Sequence, residues 1–117
     1  MDDACEAFSL AHGTITCALA PGQLAALLQQ ATDACEVRES AHATGSRYVL
    51  ARSHGARLAF EWTSANEYLL RGECEAVAPL SAACAAVSAQ LQGAALAHRI
   101  EVYAADDVLQ AVHAHPG

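Results

Sequence analysis

Between Ser46 and Glu73, apolar and polar residues alternate in three short runs. Tyr48 and Leu50 share one parity, followed by Leu58, Phe60 and Trp62, and then by Tyr68 and Leu70. Residues two apart in a strand point to the same side, so each run predicts a strand with one apolar face. Ser53-His54-Gly55 fits a three-residue hairpin loop with Gly55 in the left-handed position. Ser64-Ala65-Asn66 fits a second loop, with Asn66 tolerating positive φ. These loops predict Leu50 opposite Leu58, Tyr48 opposite Phe60, Trp62 opposite Tyr68 and Phe60 opposite Leu70. That register gathers all seven large residues on one face. The opposite face then pairs Arg47 with Glu61 and Arg57 with Glu73, leaving Val49, Ala51, Ala59 and Leu69 between the charges.

The flanking sequence predicts the remaining elements. His12 to Ala18 reads as a strand because Thr14, Ile15 and Thr16 are β-branched. Pro21-Gly22 opens a helix in which Leu24, Leu27, Leu28 and Ala31 follow the i, i+3, i+4, i+7 rule. Glu36 to His42 reads as a polar edge strand, and Ala43-Thr44-Gly45 as a turn. A second helix runs from Ala76 to Gln92, with Pro79 in its first turn and Gly93 as its stop. Its apolar stripe is Val77, Leu80, Cys84, Val87 and Leu91. His98 to Tyr103 is a strand. The segment from Asp106 to His115 fits either a short helix capped by Asp106 or a strand returning from a hairpin, and the strand makes the more compact end to a sheet. The order β-α-β-β-β-β-α-β predicts one α+β domain over residues 1–117. Its expected form is a two-layer sandwich, an antiparallel or mixed sheet with two helices on one face, ferredoxin-like with an extra hairpin.

Charge narrows the choice of partners. The net charge is −7, and all six cationic residues are arginines, scattered along the chain. Nucleic-acid binding needs concentrated positive charge, so no nucleic-acid partner is expected. An acidic surface suits a basic protein partner. Of the five cysteines, Cys17, Cys35 and Cys84 sit in apolar patterns and read as core. Cys74 lies between Glu73 and Glu75, which oppose thiolate formation. The odd count, the absence of any CxxC, and a start of Met-Asp-Asp-Ala-Cys-Glu without a basic, apolar leader point to reduced thiols and a cytoplasmic location, with no membrane segment.

Candidate chemistry is sparse. His113 and His115 would point the same way on a strand, with His98 upstream, but no further ligand stands at recognisable spacing. They are weak metal candidates, and no metal or cofactor is expected. No family signature surrounds a cysteine–histidine pair, and the adjacent Asp106-Asp107 suits capping or solvation. No phosphate-loop, dinucleotide or nucleophile-elbow motif occurs, so no catalytic residue is assigned. Tyr48, His54, Trp62, Tyr68 and His98 are candidate lining residues for a pocket between sheet and helices. The expectation is a non-catalytic protein-binding module of the small acidic cytosolic kind, in the toxin-neutralising or chaperone-like class, with a protein partner and a homodimer formed through the charged sheet face. The alternative is a small ligand-binding protein or cofactor-free enzyme using that pocket.

Overall fold

The computed structural model describes residues 8–39 and 46–116. The turn expected at 43–45, the end of the strand expected to reach His42, Cys5 and the N-terminal Met1–Glu6 lie outside them. Among the described residues, seven strands and two helices follow the order β1 (Ser9–Thr16), α1 (Pro21–Leu28), β2 (Ala34–Glu39), β3 (Arg47–Ser53), β4 (Ala56–Ser64), β5 (Glu67–Cys74), α2 (Val77–Gly93), β6 (His98–Tyr103) and β7 (Leu109–His115). The strands form one sheet in the order β2-β3-β4-β5-β1-β6-β7, every neighbour antiparallel. The protein is therefore α+β. The segment after Asp106 is a strand, as its hairpin alternative predicted. Asp106 serves the turn instead of a helix, its Oδ1 accepting the Val108 N–H at 3.2 Å.

The register of the two central hairpins splits the expectation. β4 and β5 pair Trp62 with Tyr68 and Phe60 with Leu70, as predicted, and an irregularity between Trp62 and Ser64 absorbs Thr63. Asn66 keeps negative φ. The β3–β4 hairpin is displaced by one residue. Ser53 pairs with Ala56 across a two-residue turn, which puts Ala51 opposite Leu58 and Val49 opposite Phe60. The cause is the turn itself: His54 takes φ 55° and Gly55 φ 83°, the doubly left-handed pattern of a tight hairpin. A slip of one reverses every side chain of β3. Val49, Ala51 and Ser53 are buried, while Tyr48 and Leu50 turn to the other face. Glu61 accordingly sits opposite Tyr48, and Arg47 instead lies 3.3 Å from Glu39. Arg57 meets Glu73 as expected, at 3.8 Å.

The core lies between the helices and one sheet face. Phe60, Tyr68, Leu70, Ile15, Ile100 and Val49 from the sheet pack with Leu24 and Leu28 of α1 and with Leu80, Val87 and Leu91 of α2. The helices also touch each other. Tyr68 satisfies its hydroxyl by donating to the Leu19 carbonyl at 2.6 Å, so a polar tip survives full burial. Pro21 opens α1, where a missing N–H is harmless. The Gln23 side-chain oxygen accepts the Ala20 N–H at 2.9 Å.

α2 runs to Gly93, its expected stop, but the left-handed residue that closes it is Ala95. Ala95 takes φ 58°, and the N–H groups of Ala95 and Leu96 donate to the carbonyls of Gln92 and Leu91, each at 2.9 Å. This is a Schellman closure with alanine where glycine is favoured. A left-handed non-glycine residue costs about 1–2 kcal/mol, against about 0.5–1 kcal/mol for the extra freedom glycine loses on folding. Ala95→Gly is therefore expected to stabilise the protein by about 0.5–1 kcal/mol, read as a higher urea midpoint at unchanged slope. A lower midpoint would contradict this account of the helix end.

Candidate binding face

β1, β3, β4, β5 and β6 each bury one side, and the sheet presents its other side on a face that no described element covers. The cross-strand pairs place Ala34, Arg52, Arg57, Glu73, Leu10 and Tyr103 in one row of this open face, continuing to Leu109 at the β7 end. The adjacent row carries Leu50, Ala59, Arg71, His12 and Glu101, and the next begins at Arg38 and passes through Arg99. Five of the six arginines thus stand on one face: Arg38, Arg52, Arg57, Arg71 and Arg99. Arg47 alone lies on the other, its guanidinium 5.7 Å from the centre of the Trp62 ring.

Four of these arginines converge. A groove of about 760 Å³ on the β2–β3–β4–β5–β1 part of the face is lined by Arg38, Arg52, Arg57 and Arg71, with Leu10 and Leu50 among its apolar walls. A second hollow of about 380 Å³ continues past His12 and Arg71 to Arg99. The charges are unequally satisfied. Arg38 donates to Glu36 at 2.7 Å, and Arg57 faces Glu73. Glu101 is held by Arg99 at 3.0 Å and by the Tyr103 hydroxyl at 2.6 Å. The Tyr103 hydrogen bond and then Arg99 keep the Glu101 carboxyl below its ordinary pKa, and the same bond raises that of Tyr103. Arg52 and Arg71 have no carboxylate within 4.0 Å among the described residues. Arg52 also stands directly opposite Arg57, a like-charge cross-strand pair that weakens the sheet.

The structure distributes the candidate pocket residues. Trp62, Tyr68 and His98 fall in one row on the helix side, with Ile15 between the last two. Trp62 and Tyr68 stack at 6.2 Å. Burial pushes the Tyr68 hydroxyl up to about 12. His98 is buried, 2.6 Å from the Ser88 hydroxyl and 2.9 Å from the Leu96 carbonyl. Tyr48 is on the open face, and His54 sits in the β3–β4 turn, 2.8 Å from the Ser53 hydroxyl.

His113 and His115 share one side of β7, across from Ile100 and His98. His113 reaches Ser81 at 3.3 Å, and burial, reinforced by His98, lowers its pKa. His115 stacks on His98 at 6.3 Å. No group of three histidine, cysteine or acidic side chains suited to a metal ion occurs among the described residues. The described cysteines are free thiols; burial raises Cys17 and Cys35, and pushes Cys84 up to about 12, so none of these three is activated.

The arginine groove is the feature that sequence reading missed. Its signal was present as parity: Arg52, Arg57 and Arg71 all lie on the outward parity once the β3–β4 register is right. Comparison with known proteins finds no match to a family model, to a curated protein or to a solved structure. No helix among the described residues is long and apolar enough to cross a membrane.

Proposed function

We propose that the chain is a non-catalytic protein-binding module that engages its partner with the open sheet face. The observation carrying this reading is the gathering of five arginines there in a chain of net charge −7, two of them without an ion-pair partner among the described residues. The partner presents acidic side chains over Arg52, Arg57 and Arg71, and apolar ones beside them over Leu10 and Leu50. Net charge alone suggested a basic partner, but the local field of the groove is what an approaching surface meets. A small cytosolic protein of the toxin-neutralising or chaperone-like class remains the proposed setting. Its architecture is proposed to be a two-layer sandwich of ferredoxin-like kind: with the β3–β4 hairpin and β7 set aside, the order β2-β5-β1-β6 supports this.

Arg52→Glu tests the face directly. Opposite Arg57, the reversed charge relieves a like-charge pair, so the isolated protein is expected to gain about 0.2–1 kcal/mol of stability. Proteins captured from lysate of the native cells by the wild type should be lost from the Arg52→Glu, Arg71→Glu double variant. Equal capture by both would refute this use of the face.

A second reading, a ligand held between sheet and helices beside Trp62, has one observation in its favour. Trp62 Nε1 is shut off from water and has no hydrogen-bond partner among the described residues, while the neighbouring Arg47 Nε, also shut off from water, has only its ion pair with Glu39 at 3.3 Å, and unmet buried donors are costly. Thermal stabilisation by a metabolite, retained in the open-face double variant and lost in Trp62→Phe, would favour that reading.

A further inference from the structure

We infer that the chain pairs with a second copy of itself through β7, joining two sheets edge to edge into one antiparallel sheet across a twofold axis. This goes beyond the binding role of the open face and uses none of its arginines.

The two edges of the sheet differ in kind. The β2 edge carries Glu36, Arg38 and Glu39, and charge on an edge strand deters further pairing. β7, the opposite edge, reads Leu-Gln-Ala-Val-His-Ala-His and contains no acidic or cationic residue other than its histidines. Three of the six exposed large apolar side chains among the described residues lie in it or just before it: Val108 at 52%, Leu109 at 47% and Val112 at 39%. A long, uncharged, apolar strand with no further neighbour in the sheet among the described residues is a template for another strand.

The helix above this edge has the same chemistry. None of the 17 residues of α2 is charged. The Ser81–His113 contact places the Ser81 flank of α2 over β7. Ala78 and Ala85, three residues before and four after Ser81, lie on that flank and are exposed. A twofold axis beside β7 would bring this flank towards its own copy, where alanines permit close helix approach, on the order of 8 Å between axes.

The occupant is a second copy because one surface supplies matching halves. An isologous interface sets a patch against itself, and a patch without fixed charge does so without repulsion. Elsewhere the net charge of −7 opposes approach of two copies. The expected homodimer through the charged sheet face is less suited, since it would set clustered arginines near one another. With the axis near Val112, the middle residue of β7, the two strands overlap about that point through Ala111 to His113.

Sedimentation of the full chain across a wide concentration range tests the pairing. A species of twice the 12.1 kDa chain mass is expected, populated in a concentration-dependent way. Val112→Lys sets two like charges at the axis and should weaken the dimer at least about tenfold. Val112 is already exposed, so the monomer should keep its fold by circular dichroism. Ala85→Arg on the helix flank should weaken the dimer independently of the strand. Val37→Lys on the β2 edge, and Arg52→Glu on the open face, should leave it unchanged. A monomer at every concentration would overturn the inference, as would a dimer indifferent to both Val112→Lys and Ala85→Arg, including one formed with other surfaces.

Discussion

Phe60→Ala is expected to destabilise the protein by about 3–5 kcal/mol, the usual cost of emptying a phenylalanine site in a packed core. Phe60 has no exposed surface and lies between Val49 on β3 and Leu70 on β5. It sits on the sheet face against which the helices pack, so its removal opens a cavity in the central core cluster. Native domains are stable by only about 5–15 kcal/mol, so the loss consumes a large share of the total. Urea unfolding followed by the fluorescence of Trp62, the single tryptophan, measures it. A loss below about 1 kcal/mol, typical of surface substitutions, would show that the core is not where the register puts it.

How far that core could be read from sequence depended on whether one parity of a strand was clearly the more apolar. In β4 and β5 it was: Leu58, Phe60, Trp62, Tyr68 and Leu70 face inward against Arg57, Glu61, Arg71 and Glu73. In β3 both parities are apolar, Tyr48 and Leu50 on one and Val49 and Ala51 on the other. Side-chain size favoured the first pair, and the fold buries the second. The turn decided the matter. Asn-Gly would have announced a two-residue hairpin, whereas a histidine in the left-handed region gives no such signal. Ser53 then bonds across to the turn that follows α1, its hydroxyl donating to the Ala31 carbonyl at 3.0 Å. β6 was legible from its alternation, whereas the segment that forms β7 fitted a helix as well as a strand, and only the compact end it makes to a sheet favoured the strand.

The candidate site was legible only in fragments for a different reason. Arg71 comes beside His12, and Leu10 beside Tyr103, through β1 inserting between β5 and β6. That insertion is a long-range choice which no local spacing records. Five arginines that look scattered in sequence gather on one face because five separate strands present one each with the same parity. The edge chemistry is simpler: a strand with no fixed charge can be recognised before its neighbours are known, but that it is an edge cannot.

Gly72→Leu carries the other large expectation. Gly72 lies in β5 opposite Leu58 on one side and Ala11 on the other, with its missing side chain directed at the core. A Cβ there would stand 2.8 Å from a Leu58 methyl and 3.3 Å from both the Ala11 Cβ and a Leu80 methyl. The Leu58 methyl can rotate away, so Gly72→Ala should change stability by less than about 1 kcal/mol, its overlap offset by the lower entropy of the unfolded chain. A leucine cannot be accommodated that way. Its extra carbons would have to lift Leu80, and with it α2, from β5. Overpacking of this kind costs about 1–3 kcal/mol. Because α2 also roofs β6 and β7, the displacement should loosen the Ser81 contact with His113 and the buried Ser88 contact with His98. Urea unfolding of the pair separates space from propensity. Equal stabilities for the alanine and leucine variants would mean that α2 is not seated on Gly72 and that the helix does not set the spacing of this part of the core.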